Sequence, residues 1–294
     1  MKINFLKYSK IYFLISGFLV LGSIVSLLVF GLNMGIDFTG GSILEIEYKG
    51  EVPSILEIEE DLSVLELGKL MVQPTKEKGV ILRMKEIPES THSDILNILG
   101  GKREIEEIRF DSIGPVIGKE VKEKTKIVIF LALVSILLYV TFAFRKVSGS
   151  VKSWQYGIAT LLALFHDVLI PIGVFSILGK LYSVEISIPI ITALLTVFGY
   201  SVNDTVVIFD RLRENLSKKK LSFKEAVNES LNQNLSRSIS TSLTTLFVLL
   251  AIFFFGGESL RYFSLALILG VALGTYSSIF LAPPILVKWF ERKR

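Results

Sequence analysis

Six stretches of this chain are too long and too apolar to serve as core helices of a soluble domain, and they restrict what it can fold into. A helix that crosses the hydrocarbon of a bilayer needs about 20 mostly apolar residues, with every backbone polar group satisfied internally. Ile11–Phe30 meets that requirement without a single charge, and Ile127–Phe144 supplies a second run. Tyr156–Leu178 is interrupted only by His166 and Asp167, and Ile186–Phe209 only by Asp204. Ser238–Phe255 and Tyr262–Val287 complete the set, and apolar residues fill 51% of the 294 positions. The sequence therefore predicts a membrane α-helical protein with six transmembrane helices. The first run precedes Gly31-Leu32-Asn33, a poor small-x-small cleavage site, so it reads as a retained anchor rather than a signal peptide.

The distribution of Lys and Arg orients these spans, because basic loops stay on the cytoplasmic side. Lys2, Lys7 and Lys10 precede the first span, and Arg145, Lys146 and Lys152 lie between the second and third. Arg211, Arg213, Lys218, Lys219, Lys220 and Lys224 follow the fourth, and Lys288, Arg292, Lys293 and Arg294 end the chain. The two short opposite loops carry only Lys180 and Arg261. Both termini are expected in the cytoplasm of a bacterium, in a multi-pass inner-membrane protein. Residues 1–30 form the N-terminus and first helix, 31–125 a periplasmic domain, and 126–294 the remaining helices with a cytoplasmic amphipathic loop at 210–236.

The outer segment alternates like a small α+β domain. Ile43–Tyr48, Lys69–Gln73, Val80–Lys85 and Ile105–Ile113 read as strands, with helices at Ser54–Asp61 and Ser93–Leu99. The order β-α-β-β-α-β predicts a ferredoxin-like split βαβ unit. More of its charges are acidic than basic, which argues against nucleic-acid binding. Glycines at 31, 35, 40 and 41, and the Gly114-Pro115 and Gly118 group, suit either hinges or rigid turns at its two connections. With no cysteine and only two histidines, thiol chemistry is excluded and no metal site is expected. In the cytoplasmic loop, Ser222 and Glu225 fit a capping box, and Phe223, Val227, Leu231 and Leu235 recur every four residues. That pattern predicts a short amphipathic helix at the membrane surface.

Ionisable groups inside a bilayer are expensive, so each poses a functional question. Thr192, Thr196, Tyr200 and Asp204 are spaced by four and share one helical face, with Asn203 beside it. Arg237 opens the fifth span, and Thr241 and Thr245 continue its face, with Thr244 adjacent. If the two faces meet, a carboxylate, a guanidinium and several hydroxyls line a seam able to hold water and pass protons. Asp204 would then titrate; a static Asp204–Arg237 ion pair, or an Arg237 that merely snorkels, fits the same spacing. His166 and Asp167 are secondary candidates for a relay, although neighbours on a helix point about 100° apart, which favours hydrogen bonds to another span. Ala266, Gly270, Gly274, Ser278 and Ala282 form a small-residue stripe for close helix packing.

Several stretches resemble one family, and they do so in order along the chain. Gly35-Ile36-Asp37-Phe38-Thr39-Gly40-Gly41 resembles the signature that follows the first span in the SecD/SecF family. Leu164-Phe165-His166-Asp167, the run Gly199–Arg211, the run Leu235–Thr245 and the run Gly274–Phe280 resemble its third- to sixth-span motifs. The resemblance implies membership of the resistance-nodulation-division superfamily and a proton-coupled accessory subunit rather than an enzyme. It implies pairing with a SecD-like subunit and use of the proton motive force, with protons the only coupling ligand and no cofactor. The work implied is late translocation of preproteins through the SecYEG channel. It also implies proton-pathway roles for Asp204, Arg237, Thr241 and Thr245.

Two other functions fit parts of the sequence. A small-molecule or lipid exporter of the same superfamily would share the helices, but usually has larger outer domains and two six-helix repeats. An intramembrane aspartyl protease would use Asp167 and Asp204 as a proton-sharing pair. Its usual Tyr-Asp and Gly-x-Gly-Asp are here His166-Asp167 and Asn203-Asp204.

Overall fold

The computed structural model describes residues 3–75, 78–145, 151–218 and 221–292. Among the basic residues used to orient the chain, Lys2, Lys146, Lys219, Lys220, Lys293 and Arg294 lie outside the described residues. The chain divides into two compact units: Met1–Asn33 with Val128–Arg294, and Met34–Ile127.

A 3-10 turn over Phe5–Tyr8 leads into α1 (Ser9–Phe30), and a one-turn α2 (Ile36–Thr39) opens the outer unit. There follow β1 (Gly41–Tyr48), α3 (Ile55–Asp61), β2 (Met71–Pro74), β3 (Gly79–Met84), α4 (Glu89–Lys102) and β4 (Ile105–Ile113). The strands form one antiparallel sheet in the order β2-β3-β1-β4, the arrangement of a ferredoxin-like unit. Alternation places Leu44, Ile46, Val80, Leu82 and Met84 on one face, where Ile58, Leu62, Ile95 and Leu99 of the helices cover them. Gly40 and Gly41 have φ of 76° and 133°, and a Cβ at 40 would lie 2.6 Å from the Pro115 Cα. A Cβ at Gly118 would come 2.8 Å from the Gly40 nitrogen. The paired glycines thus serve a positive φ and a close backbone approach. From Pro115 onward the chain is helical, as α5 (Pro115–Ala143).

The membrane unit continues with α6 (Ser153–Tyr182), α7 (Ile188–Lys218), α8 (Phe223–Phe255), α9 (Glu258–Phe280) and α10 (Ala282–Glu291). Six helical segments are long and apolar enough to cross a membrane, the sixth running through α9 and α10 with a break at Leu281 before Pro283 and Pro284. Their polarity is arranged for lipid: on α1, Phe18 and Leu28 are 73% and 81% exposed while Ser16, Ser23 and Ser26 are buried. Those serines allow close contact, since a Cβ at Gly173 of α6 would lie 2.4 Å from Ser23 Cβ. Ser26 donates to the Gly173 carbonyl at 3.0 Å, and Ser176 donates to the Gly31 carbonyl at 2.6 Å. Gly270 and Gly274 give α9 the same intimacy with α7: a Cβ at 270 would fall 2.1 Å from Val197 Cγ2, and one at 274 3.0 Å from Ser201 Cβ.

The cytoplasmic segment differs from its expected form. Residues 210–236 are not a loop bearing a separate surface helix, because α7 runs on to Lys218 and α8 is unbroken from Phe223 to Phe255. The capping box itself is present: Ser222 and Glu225 exchange hydrogen bonds. The apolar residues of that turn, Phe223, Val227 and Leu231, pack into the membrane unit's own core. Asn228 and Asn232, one turn apart on α8, also clamp the N-terminal segment. The Phe5 N–H donates to Asn228 Oδ1 at 2.9 Å, and the Ile3 N–H to Asn232 Oδ1 at 2.9 Å.

Candidate functional site

Asp204 lies on α7 where that helix packs against α8 and α9. Its Oδ1 accepts from the Ser238 hydroxyl at 2.6 Å and its Oδ2 from the Ser278 hydroxyl at 2.6 Å. The two serines are buried while the aspartate is half-buried, so the carboxylate is seated from two helices and open on its remaining side. Hydrogen bonds at this length to an ionised oxygen are among the strong ones, worth about 1.5–3 kcal/mol each. A rung farther along, the Tyr200 hydroxyl donates to Ser242 at 3.4 Å, and Ser242 is bonded to Thr275. Polar side chains of α7, α8 and α9 therefore meet at two levels.

The other residues singled out in the sequence take different places. Arg237 precedes Ser238 but is exposed, and no ion pair joins it to Asp204 among the described residues. Asn203 and Thr241 are exposed as well. The hydroxyls of Thr192, Thr196, Thr241 and Thr245 each donate to the carbonyl one turn back on their own helix. Asn203, Arg237 and Thr241 thus give α7 and α8 a polar outer flank beside Asp204 rather than lining its seat. The contacts that do form the seat, Ser238 and Ser278, are marked in the sequence only as the first residue of the fifth span and a member of the packing stripe. Serine is so common a small packing residue in membrane helices that spacing does not mark such a role.

His166 and Asp167 form a second polar centre on α6. Asp167 accepts from Ser201 of α7 and Ser277 of α9, each at 2.6 Å on Oδ2, and its Oδ1 is 2.9 Å from His166 Nδ1. The expected hydrogen bonds to other spans are present, and the two neighbours also bond to each other. Among the described residues, no group of three or more His, Cys, Asp or Glu is arranged to hold a metal.

The chain thus joins a six-helix membrane body, with hydroxyl-seated carboxylates, to an inserted split βαβ unit, and its sequence is that of an export membrane protein. Residues 95–292 match the family described as protein export membrane protein SecD/SecF, C-terminal, and residues 25–52 match the SecD/SecF GG motif. The protein translocase subunit SecF of Thermobaculum terrenum is 41% identical over 98% of this chain and 94% of its own length. The SecF of Anaerolinea thermophila is 37% identical, with the same coverage of 98% and 94%. The crystal structure of SecDF, a translocon-associated membrane protein from Thermus thermophilus, superposes with a TM-score of 0.85 at 32% identity. That match covers all of this chain and 39% of the SecDF chain, and SecDF in its super-membrane-facing form gives a TM-score of 0.71. The chain belongs to the SecD/SecF family.

Proposed function

We propose that this chain is the SecF-type half of a two-part translocase motor. Asp204 takes up and releases protons, and a SecD-like partner covers the polar flank of α7 and α8. The observation that carries this reading is the seat of Asp204. Ser238 and Ser278 satisfy its carboxylate at 2.6 Å each, yet neither supplies the positive charge that would fix it permanently as an anion. A group bonded by hydroxyls can change protonation state by rotating them, since a hydroxyl both donates and accepts. One proton crossing 100 mV delivers about 2.3 kcal/mol, comparable with one charge-assisted hydrogen bond, so the gradient is able to rearrange such a seat. Arg237, exposed beside it, supplies a cation that a change in helix packing could bring into play.

Exposed Asn203, Arg237 and Thr241 also call for a protein partner, because polar side chains within a membrane helix pair are otherwise turned toward protein or water. The relatives' names support a SecD-like partner, and we assign it to this face. The assembly's work is assistance to preproteins emerging from SecYEG. An aspartyl protease is disfavoured, because Asp167 and Asp204 are engaged by separate serine pairs rather than sharing a proton.

Cross-linking tests the partner. Cysteines at Asn203 and Thr241 should cross-link to a co-purifying SecD-like subunit in native membranes, while one at lipid-facing Phe18 of α1 should not. Failure of the first two to react while a partner co-purifies would place the interface elsewhere.

A further inference from the structure

Asp167 is the only carboxylate that is fully enclosed among the described residues, at 0% exposure, and His166 beside it is 3% exposed. Its oxygens take two serine hydroxyls and one imidazole nitrogen, and His166 is its ion-pair partner. A lone ionised carboxylate in such a place costs several kcal/mol, and one proton shared with His166 would cancel that charge. That proton sits either on His166 beside an ionised Asp167, or on Asp167 beside a neutral imidazole. Both arrangements carry no net charge. Removing the proton leaves an isolated anion in the membrane interior, so its release must be linked to a change in the surroundings.

The surroundings contain such a link. Ser277 and Ser278 are consecutive on α9; the first donates to Asp167 and the second to Asp204, each at 2.6 Å. Ser201, the other donor to Asp167, stands three residues before Asp204 on α7. Each α9 hydroxyl also has a second acceptor in its own helix: Ser277 lies 3.2 Å from the Gly274 carbonyl, and Ser278 3.0 Å from the Thr275 carbonyl. A carboxylic acid accepts a hydrogen bond less strongly than a carboxylate, so protonation lets the hydroxyl turn to its backbone carbonyl without being left unpaired. The α6 backbone is adapted here as well, because Pro171 lacks the N–H that would close onto the Asp167 carbonyl.

Helices α1, α7 and α9 pack against α6. Asp204 is on α7 and Tyr276 on α9, the latter's ring centroid 5.9 Å from that of His166. From α1, Tyr12 offers its carbonyl and Ser16 its hydroxyl to the Tyr276 hydroxyl, at 3.2 and 3.3 Å. No Lys or Arg makes an ion pair with Asp167 among the described residues.

We propose that His166 and Asp167 constitute a second proton-holding site, coupled to Asp204 through the adjacent serines Ser277 and Ser278. Its part in transport rests on the reading of Asp204 given above; the existence of the site does not. Binding at Asp204 turns Ser278, binding at the pair turns Ser277, and one stretch of α9 registers both.

The substitution Asp167→Asn isolates proton holding from structure. An amide oxygen accepts both serine hydroxyls and the amide N–H donates to a neutral imidazole, so hydrogen bonding is kept and only the exchangeable proton is lost. Infrared difference spectra against pH, on the full chain with its SecD-like partner in lipid, should show two coupled protonation steps. Asp167→Asn should abolish one step, Asp204→Asn the other, and Ser277→Ala should displace the first. His166→Gln provides an independent variant and should remove the imidazole contribution to the same step. An Asp167→Asn spectrum superimposable on the wild type at every pH overturns the proposal, whatever Asp204 does. Wild-type transport by Asp204→Asn, with the Asp167 step intact, would instead sink the reading of Asp204 alone.

Discussion

Adding one methyl group at Gly270 tests how tightly the site is built. In Gly270→Ala the new Cβ would lie 2.1 Å from Val197 Cγ2, 2.8 Å from Cγ1 and 3.0 Å from Cβ. Carbon atoms settle at roughly 3.5–4.0 Å, so α7 and α9 must part by more than about 1 Å, because valine in a helix is held in one χ1 rotamer and cannot turn aside. Overpacking of this kind costs about 1–3 kcal/mol. The same parting would stretch the 2.6 Å Ser278–Asp204 bond beyond hydrogen-bonding range, so transport should fall with stability. Thermal unfolding in mild detergent measures the first effect and proton-dependent preprotein translocation the second. Val197→Ala removes both clashing methyls and should restore most of each loss in the double variant, a coupling of about 0.5–3 kcal/mol. Gly199→Ala is the control, since nothing lies within 4 Å of its added Cβ. A Gly270→Ala protein as stable and active as wild type, or one that Val197→Ala fails to rescue, would refute the packing argument.

Among the described residues the buried Tyr48 hydroxyl of the outer domain has no hydrogen-bond partner, and burial pushes its pKa up to about 12. Tyr48→Phe should therefore leave that domain as stable or more stable in denaturant titration, whereas Ile46→Ala in the same core should cost about 2–5 kcal/mol. For topology, an impermeant thiol reagent should label cysteines at exposed Ser54 and Glu89 from outside intact spheroplasts, and one at exposed Ser217 only after lysis. Labelling of Ser217 in intact cells would invert the orientation.

The elements were legible where one local pattern dictates structure. Long apolar runs marked the spans, and alternation with turn residues marked the split βαβ unit to within a few positions. α4 begins at Glu89 rather than Ser93, because its first turn is polar and carries no apolar period to read. The fifth span was read as starting at Ser238, where polarity changes, yet helix hydrogen bonding ignores that change and α8 runs from Phe223. Asp204 was legible as a candidate because a charge in a membrane helix is costly. Its partners were not: Ser238 is 34 residues away in sequence and Ser278 is 74, and only the rotation of three packed helices selects them. Spacing by four placed Thr241 and Thr245 correctly on one helix, but could not say which face of α8 turns toward α7.

Asp204→Asn tests most directly whether Asp204 carries a proton whose movement drives the work of this family member. Asparagine keeps the shape, and its amide oxygen can still accept a serine hydroxyl, but it cannot titrate. In inverted membrane vesicles with the SecD-like partner present, the variant should insert and associate normally. It should also lose the part of preprotein translocation that collapses when the proton gradient is dissipated. Full gradient-dependent translocation by Asp204→Asn vesicles would contradict the account and leave the carboxylate a structural hydrogen-bond acceptor.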